Sequence, residues 1–263
     1  MQTYSLMVAP NGARRGKTDH PALPLSPAEL AATARACQAE GADAVHLHVR
    51  DANGRHSLDP GRYREAMAAI DETAPGMRIQ ITTEYAGRYD VAAQYACLRD
   101  LRPAWASASV RELARDPALA ARIYALANDT GIRLQHILYG PSCIATFKGL
   151  RTRCIIRDET PQVILVLGRY APPRPAQPSD LPPLLARLSH PVDWTVCAFG
   201  PAEHACLLQA LRLGGNVRIG FENNLHAPDG TLFPHNAASV RAFAATARAA
   251  GFTPRAHATT QPA

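Results

Sequence analysis

Lysine is nearly absent: of 28 basic residues only Lys17 and Lys148 are lysine, and the other 26 are arginine. With abundant alanine and proline, that points to codon bias toward GC-rich DNA. The arginines are scattered rather than gathered into a stripe. The formal charge of +6 therefore does not mark a nucleic-acid surface, which needs clustered cations. An anionic small substrate or cofactor accounts for the surplus equally well. No run of about 18 apolar residues occurs, which excludes a transmembrane helix. The segment Met1–Pro10 lacks a basic n-region and has only a short apolar stretch, so no signal peptide is expected. The six cysteines (Cys37, Cys97, Cys143, Cys154, Cys197 and Cys206) form no CxxC pair, and most sit in apolar segments, as buried free thiols do. Disulfide and zinc-ribbon scaffolds are disfavoured, and a reducing cytoplasm is expected.

What is present is a globular composition, 47% hydrophobic and 19% charged, over 263 residues, a length that suits one large α/β domain. Eight runs read as strands: Tyr4–Pro10, Ala44–Arg50, Arg78–Glu84, Trp105–Val110, Arg133–Tyr139, Gln162–Gly168, Asp193–Gly200 and Val217–Asn224. Helical patterns lie between them. Ser26-Pro27-Ala28-Glu29 opens the first with a capping box and Gly41 can end it; Asp59-Pro60 opens the second, and Asn236 can cap the last, which ends near Gly251. Ala171–Pro183, with six prolines, reads as a loop. Alternating β and α units with near-continuous apolar strands imply a parallel sheet, and eight units imply a single-domain (β/α)8 TIM barrel over residues 1–263. A doubly wound open sheet is the alternative, weakened because no GxGxxG follows the first strand.

Four segments carry candidate chemistry. In Val45-His46-Leu47-His48-Val49-Arg50-Asp51, two histidines at i and i+2 share one strand face, the barrel interior, where they suit a metal such as zinc. A hydrogen-bonded pair of core histidines is the other reading. On the last strand Glu222 is a candidate third ligand, giving His2Glu with an open position, and Arg218 has the same parity. A buried Arg–Glu ion pair without catalysis is the alternative there. Strand three ends in Thr82-Thr83-Glu84, which offers hydroxyls and a candidate base. After strand one, the Asn11-Gly12 turn carries Arg14 or Arg15 to the barrel mouth, where either meets a carboxylate or phosphate or simply lies exposed.

The segments His46-Leu47-His48-Val49-Arg50-Asp51 and Gly214-Gly215-Asn216-Val217-Arg218-Ile219-Gly220-Phe221-Glu222-Asn223, with Ala9–Gly12, His20–Pro24 and Ile79–Thr83, resemble the β-keto acid cleavage enzyme family, whose type activity is 3-keto-5-aminohexanoate cleavage. The resemblance implies a TIM barrel, zinc (Zn2+) on His46, His48 and Glu222, and condensation of a β-keto acid with acetyl-CoA, then cleavage to acetoacetate and a new acyl-CoA. It implies catalytic roles for Arg218 and for Thr82, where the type member has serine, and a homotetramer. Asn11 and Arg14 after strand one, and Ser107, Ser109 and Gln135 on strands four and five, are the substrate-binding candidates by position, with Tyr139 beside them. Arg14, Arg169 and Arg174 are candidates for the CoA phosphates. Three departures stand out. Arg14 replaces an acid, Asn223 replaces the aspartate linked to proton abstraction, and Glu84-Tyr85 replaces Gly-Gly. An amide is no base at neutral pH, so either Glu84 takes over or the chemistry differs. The rivals are a zinc hydrolase of the amidohydrolase kind, which also carries HxH on a barrel strand, and a metal- or acyl-CoA-binding member without catalysis.

Overall fold

Helix starts are written locally. In the computed structural model, which describes residues 1–169, 172–188 and 190–255, the Ser26 hydroxyl accepts from the Glu29 amide while the Glu29 carboxylate accepts from the Ser26 amide, closing the expected capping box on α1 (Pro27–Ala39). Asp59, Asp90 and Asp116 each accept from a backbone amide three residues on and cap α2 (Pro60–Thr73), α3 (Val91–Leu101) and α4 (Pro117–Thr130). The later helices are α5 (Pro141–Thr152), α6 (Leu181–Leu185), α7 (Glu203–Arg212) and α8 (Asn236–Ala249).

Eight strands precede these helices in turn: β1 (Leu6–Val8), β2 (Ala44–Leu47), β3 (Arg78–Thr82), β4 (Trp105–Ser109), β5 (Arg133–Leu138), β6 (Gln162–Leu167), β7 (Asp193–Ala198) and β8 (Asn216–Ile219). Each pairs in parallel with the next, and β8 pairs with β1, so the sheet closes as the expected (β/α)8 barrel. The period of two splits every strand. On β2, Val45 and Leu47 pack outward into the main core under the helices, while His46, and His48 one residue past the strand's end, face inward. The interior is floored by Met7, Ala44 and Trp105 and walled on one side by Ile137, Ile164, Val166 and Cys197.

Four local expectations are corrected. The eighth strand stops at Ile219, because Gly220 has φ +140 and an added Cβ there would meet the Ala9 carbonyl at 2.5 Å; Glu222 therefore stands on a turn, not on a strand. The second strand stops at Leu47, and Val49–Arg50 leaves the barrel to pair antiparallel with His56–Ser57. Asn236 does not cap α8: His235 does, accepting from the Ala238 amide, because the Asn236 side chain is committed elsewhere. Within Ala171–Pro183 lie a 3-10 turn (Pro178–Asp180) and the start of α6, since proline is tolerated in a first helical turn. Ala171 itself, and residues 256–263 of the expected domain, fall outside the described residues. No helix among the described residues is long and apolar enough to cross a membrane.

Candidate metal centre

The inward parity of β2 brings His46 and His48 side by side, both buried, with their Nε2 atoms 3.2 Å apart. The turn after β8 brings in Glu222, whose Oε2 lies 3.7 Å from His46 Nε2 and 3.6 Å from His48 Nε2. That oxygen is buried without a hydrogen-bond partner, while Oε1 accepts from Arg218 at 3.1 Å. An orphaned buried carboxylate oxygen is costly unless a cation completes it. Burial and the Arg218 charge hold His46 well below its ordinary pKa, and burial and the His46 ring do the same to His48. Neutral imidazoles present lone pairs, so the three donors, all within 4.8 Å of one another, fit a divalent metal.

The surroundings orient the donors. His46 Nδ1 lies 2.8 Å from Gln80 Oε1; as the amide oxygen only accepts, Nδ1 carries the proton and Nε2 faces the centre with its lone pair. Gln80 Nε2 donates to Gln135 Oε1 at 3.1 Å, and Gln135 Nε2 donates to Thr195 Oγ1 at 3.2 Å. Gln80→Leu is expected to weaken metal binding about 10- to 100-fold with the barrel intact, measured by competition against a chromophoric chelator. Wild-type affinity in the variant would exclude the orienting role.

The Glu222 turn is pinned from three sides. The Arg15 guanidinium donates to the Phe221 carbonyl, Asn236 accepts from the Phe221 amide at 2.9 Å and donates to the Pro10 carbonyl at 3.0 Å, and Glu203 accepts from the Gly220 amide and from Asn224, both at 3.3 Å. Gly12 lets the first loop lie against Glu222, since a Cβ there would sit 2.6 Å from Glu222 Cγ. Burial pushes the Glu203 carboxyl up to about 8, against the pull of the Gly220 amide. Between about pH 4.5 and about 8 the folded chain then holds a proton that the unfolded chain has released, so stability falls as pH rises across that window. Thermal melts from pH 4.5 to 8.5 should show this decline, on the order of a few kcal/mol, and Glu203→Gln should flatten it. Parallel profiles for the two proteins would refute it.

A cavity of about 600 Å³ opens over the centre and includes His46, Thr82, Glu84, Arg218 and Glu222 in its lining. Glu84 reaches within 4.0 Å of His48 Nε2 and 3.7 Å of the Arg14 guanidinium. Burial, and then the charges of Glu222 and Glu112, raise its carboxyl to about 7. Thr82 Oγ1 accepts from the Glu84 amide at 3.1 Å. Arg14, Arg169, Arg174 and Tyr139 also line the cavity.

Other sequence candidates lie off this lining. Asn11 Nδ2 donates to the carbonyls of Pro24 and His48. Ser107 and Ser109 are buried on β4 with unpartnered hydroxyls, and Gln135 belongs to the amide chain beneath His46. Asn223 is buried with neither side-chain atom partnered. Sequence reasoning missed Gln80 and Glu203 beside the centre, and Arg111, which also lines the cavity. Gln80 had a signal, because it shares parity with Thr82 and pairs with His46 across β2 and β3. Arg111, on the one-turn helix Val110–Leu113, had none.

Fold and site together define a (β/α)8 barrel with a His-His-Glu metal-binding centre beneath a mouth cavity. The sequence model of the beta-keto acid cleavage enzyme family matches residues 4–262, and the chain belongs to that family. It is 28% identical over 257 residues to the 3-oxoadipate:acetyl-CoA acetyltransferase of Cupriavidus necator, covering 93% of this chain and 88% of that protein. It is 25% identical over 245 residues to a 3-keto-5-aminohexanoate cleavage enzyme of Fusobacterium nucleatum, covering 90% and 88%. Among solved structures, the complex of ObcA with oxaloacetate superposes with a TM-score of 0.74 at 16% identity, over 90% of this chain and 66% of the ObcA chain, a likeness of fold.

Proposed function

We propose that this chain condenses a β-keto acid with acetyl-CoA and cleaves the product to acetoacetate and a new acyl-CoA, with zinc on His46, His48 and Glu222. The observation that carries the reading is the convergence of His46, Glu222, Arg218 and Glu84 on one cavity, with the third donor, His48, buried against the first two. Glu84 takes the proton from the carbon between ketone and carboxylate, since the amide of Asn223 has no basic lone pair to offer. The resulting carbon nucleophile attacks the thioester carbonyl, and the tetrahedral adduct expels CoA as its thiolate. That thiolate then attacks the original ketone and breaks its bond to the nucleophilic carbon, so that one fragment leaves as the new acyl-CoA and the other, the acetoacetate enolate, takes the proton back from Glu84. Arg218, buried and fixed by Glu222, offers N–H donors to the negative oxygen that develops, and one such contact supplies about 3 kcal/mol. Thr82 offers a hydroxyl on the same wall. Zinc would supply Lewis-acid stabilisation of charge on the ketone and carboxylate oxygens.

The six free cysteines, five of them buried, support a cytoplasmic setting. A homotetramer is carried over from the resemblance, and light scattering on the eluted protein tests it. The reaction is tested by incubating the zinc-loaded protein with a panel of β-keto acids, with and without acetyl-CoA, and following acetoacetate. Product should need the thioester. Turnover without acetyl-CoA would assign a hydrolase, and retained zinc with no turnover on any acid would assign a binding protein.

A further inference from the structure

Five arginines line the cavity (Arg14, Arg111, Arg169, Arg174 and Arg218) against three carboxylates, Glu84, Asp180 and Glu222. Arg218 pairs with Glu222 at 3.1 Å, Arg174 with Asp180 at 2.5 Å and Arg14 with Glu84 at 3.7 Å. Arg169 donates from Nε to the Pro172 carbonyl, bracing its own loop. Among the described residues no carboxylate lies within ion-pair distance of Arg111. Its guanidinium carbon instead sits 3.6 Å from the ring centroid of Tyr139, at the end of β5. Seating on an aromatic face fixes the orientation of a guanidinium and leaves its edge N–H donors open to a planar, two-oxygen acceptor. Ile137 and Val166 add apolar surface to the same lining. The cavity thus offers the metal donors and Arg218 for a keto-carboxylate head, apolar surface for a methylene chain, and a cation mounted on Tyr139 that among the described residues has no carboxylate partner.

We propose that Arg111, seated on Tyr139, is a subsite for a second carboxylate, so that the favoured substrates are β-keto acids with an anionic far end. This rests on the reaction proposed above. An acceptor anion also occurs in the phosphates of CoA, and the test separates the two sources.

Three six-carbon acids serve as probes at saturating acetyl-CoA: 3-oxoadipate, 3-oxohexanoate and 3-keto-5-aminohexanoate. The wild-type kcat/KM should favour the dicarboxylate over the methyl-ended acid by about 30- to 100-fold, with the amine-bearing acid last. Arg111→Gln should shrink the dicarboxylate-to-methyl ratio to within about 3-fold, and Arg111→Lys should leave it between the two. A wild-type preference for either other acid overturns the proposal. So does an unchanged ratio in a well-folded Arg111→Gln, or a variant whose main defect is a raised KM for acetyl-CoA, which would give the arginine to the phosphates. Calorimetric binding of adipate against hexanoate repeats the comparison without turnover. Failure of all three acids to react therefore sinks the proposed reaction, while the adipate-to-hexanoate ratio still decides the subsite.

Discussion

His46→Ala is expected to leave the protein without stoichiometric metal and to lower kcat/KM for acetoacetate formation about a thousandfold or more. Removing the ring leaves His48 and one Glu222 oxygen as donors, and a divalent ion held by two protein ligands in a water-accessible cavity binds far more weakly. Loss of Lewis-acid stabilisation is worth several kcal/mol of barrier, and each 1.36 kcal/mol is tenfold in rate. The fold should survive, because Arg218 still balances the Glu222 charge at 3.1 Å and the barrel ladder does not run through the metal. Elemental analysis by mass spectrometry, the acetoacetate assay and far-ultraviolet circular dichroism read the three parts separately. Full turnover by a metal-free His46→Ala protein would remove the centre from the reaction.

The same residue shows what the sequence makes legible. Two histidines at i and i+2 amid valine and leucine share one face by the period of two, so their pairing was legible, while their use as metal donors, against a hydrogen-bonded core pair, came only with the family resemblance. The strand cores were equally readable, because β-branched runs between turn residues have few other uses in an alternating chain. Strand ends were not. Gly220 ends β8 through its contact with the Ala9 carbonyl, a partner 211 residues away that periodicity does not see. Asn236 looks like a cap by residue type, yet its amide links the turn carrying Glu222 to Pro10, leaving the cap to His235. Glu203 in the first turn of α7 reads as a solvated acid that complements the helix dipole, whereas the fold buries it completely beneath the Glu222 turn. In each case a contact distant in sequence reassigns a side chain whose local meaning was ordinary.

Glu84→Gln tests the proposed proton-abstraction step. The substitution keeps the size and the hydrogen-bonding outline of the side chain, and Glu84 is not one of the three donors in the centre, so metal content should stay at the wild-type level. What disappears is the ability to accept a proton. A positioned general base contributes about 10²- to 10⁴-fold, and the acetoacetate rate should fall by that factor. Proton abstraction can be watched alone: in D2O without acetyl-CoA, wild-type protein should exchange the hydrogens between ketone and carboxylate of the keto acid, and Glu84→Gln should lose that exchange over the uncatalysed background. Exchange at the wild-type rate in the variant would move the base elsewhere. Asn223 would not inherit the role, because its amide neither accepts a proton at neutral pH nor lines the cavity, while Glu84 lies within 4.0 Å of His48 on the cavity wall. On the proposed reaction, the Glu84 carboxylate two residues past β3 takes the base's part while Asn223 stands beside Glu222, and loss of exchange in Glu84→Gln with metal retained is the result that assigns it.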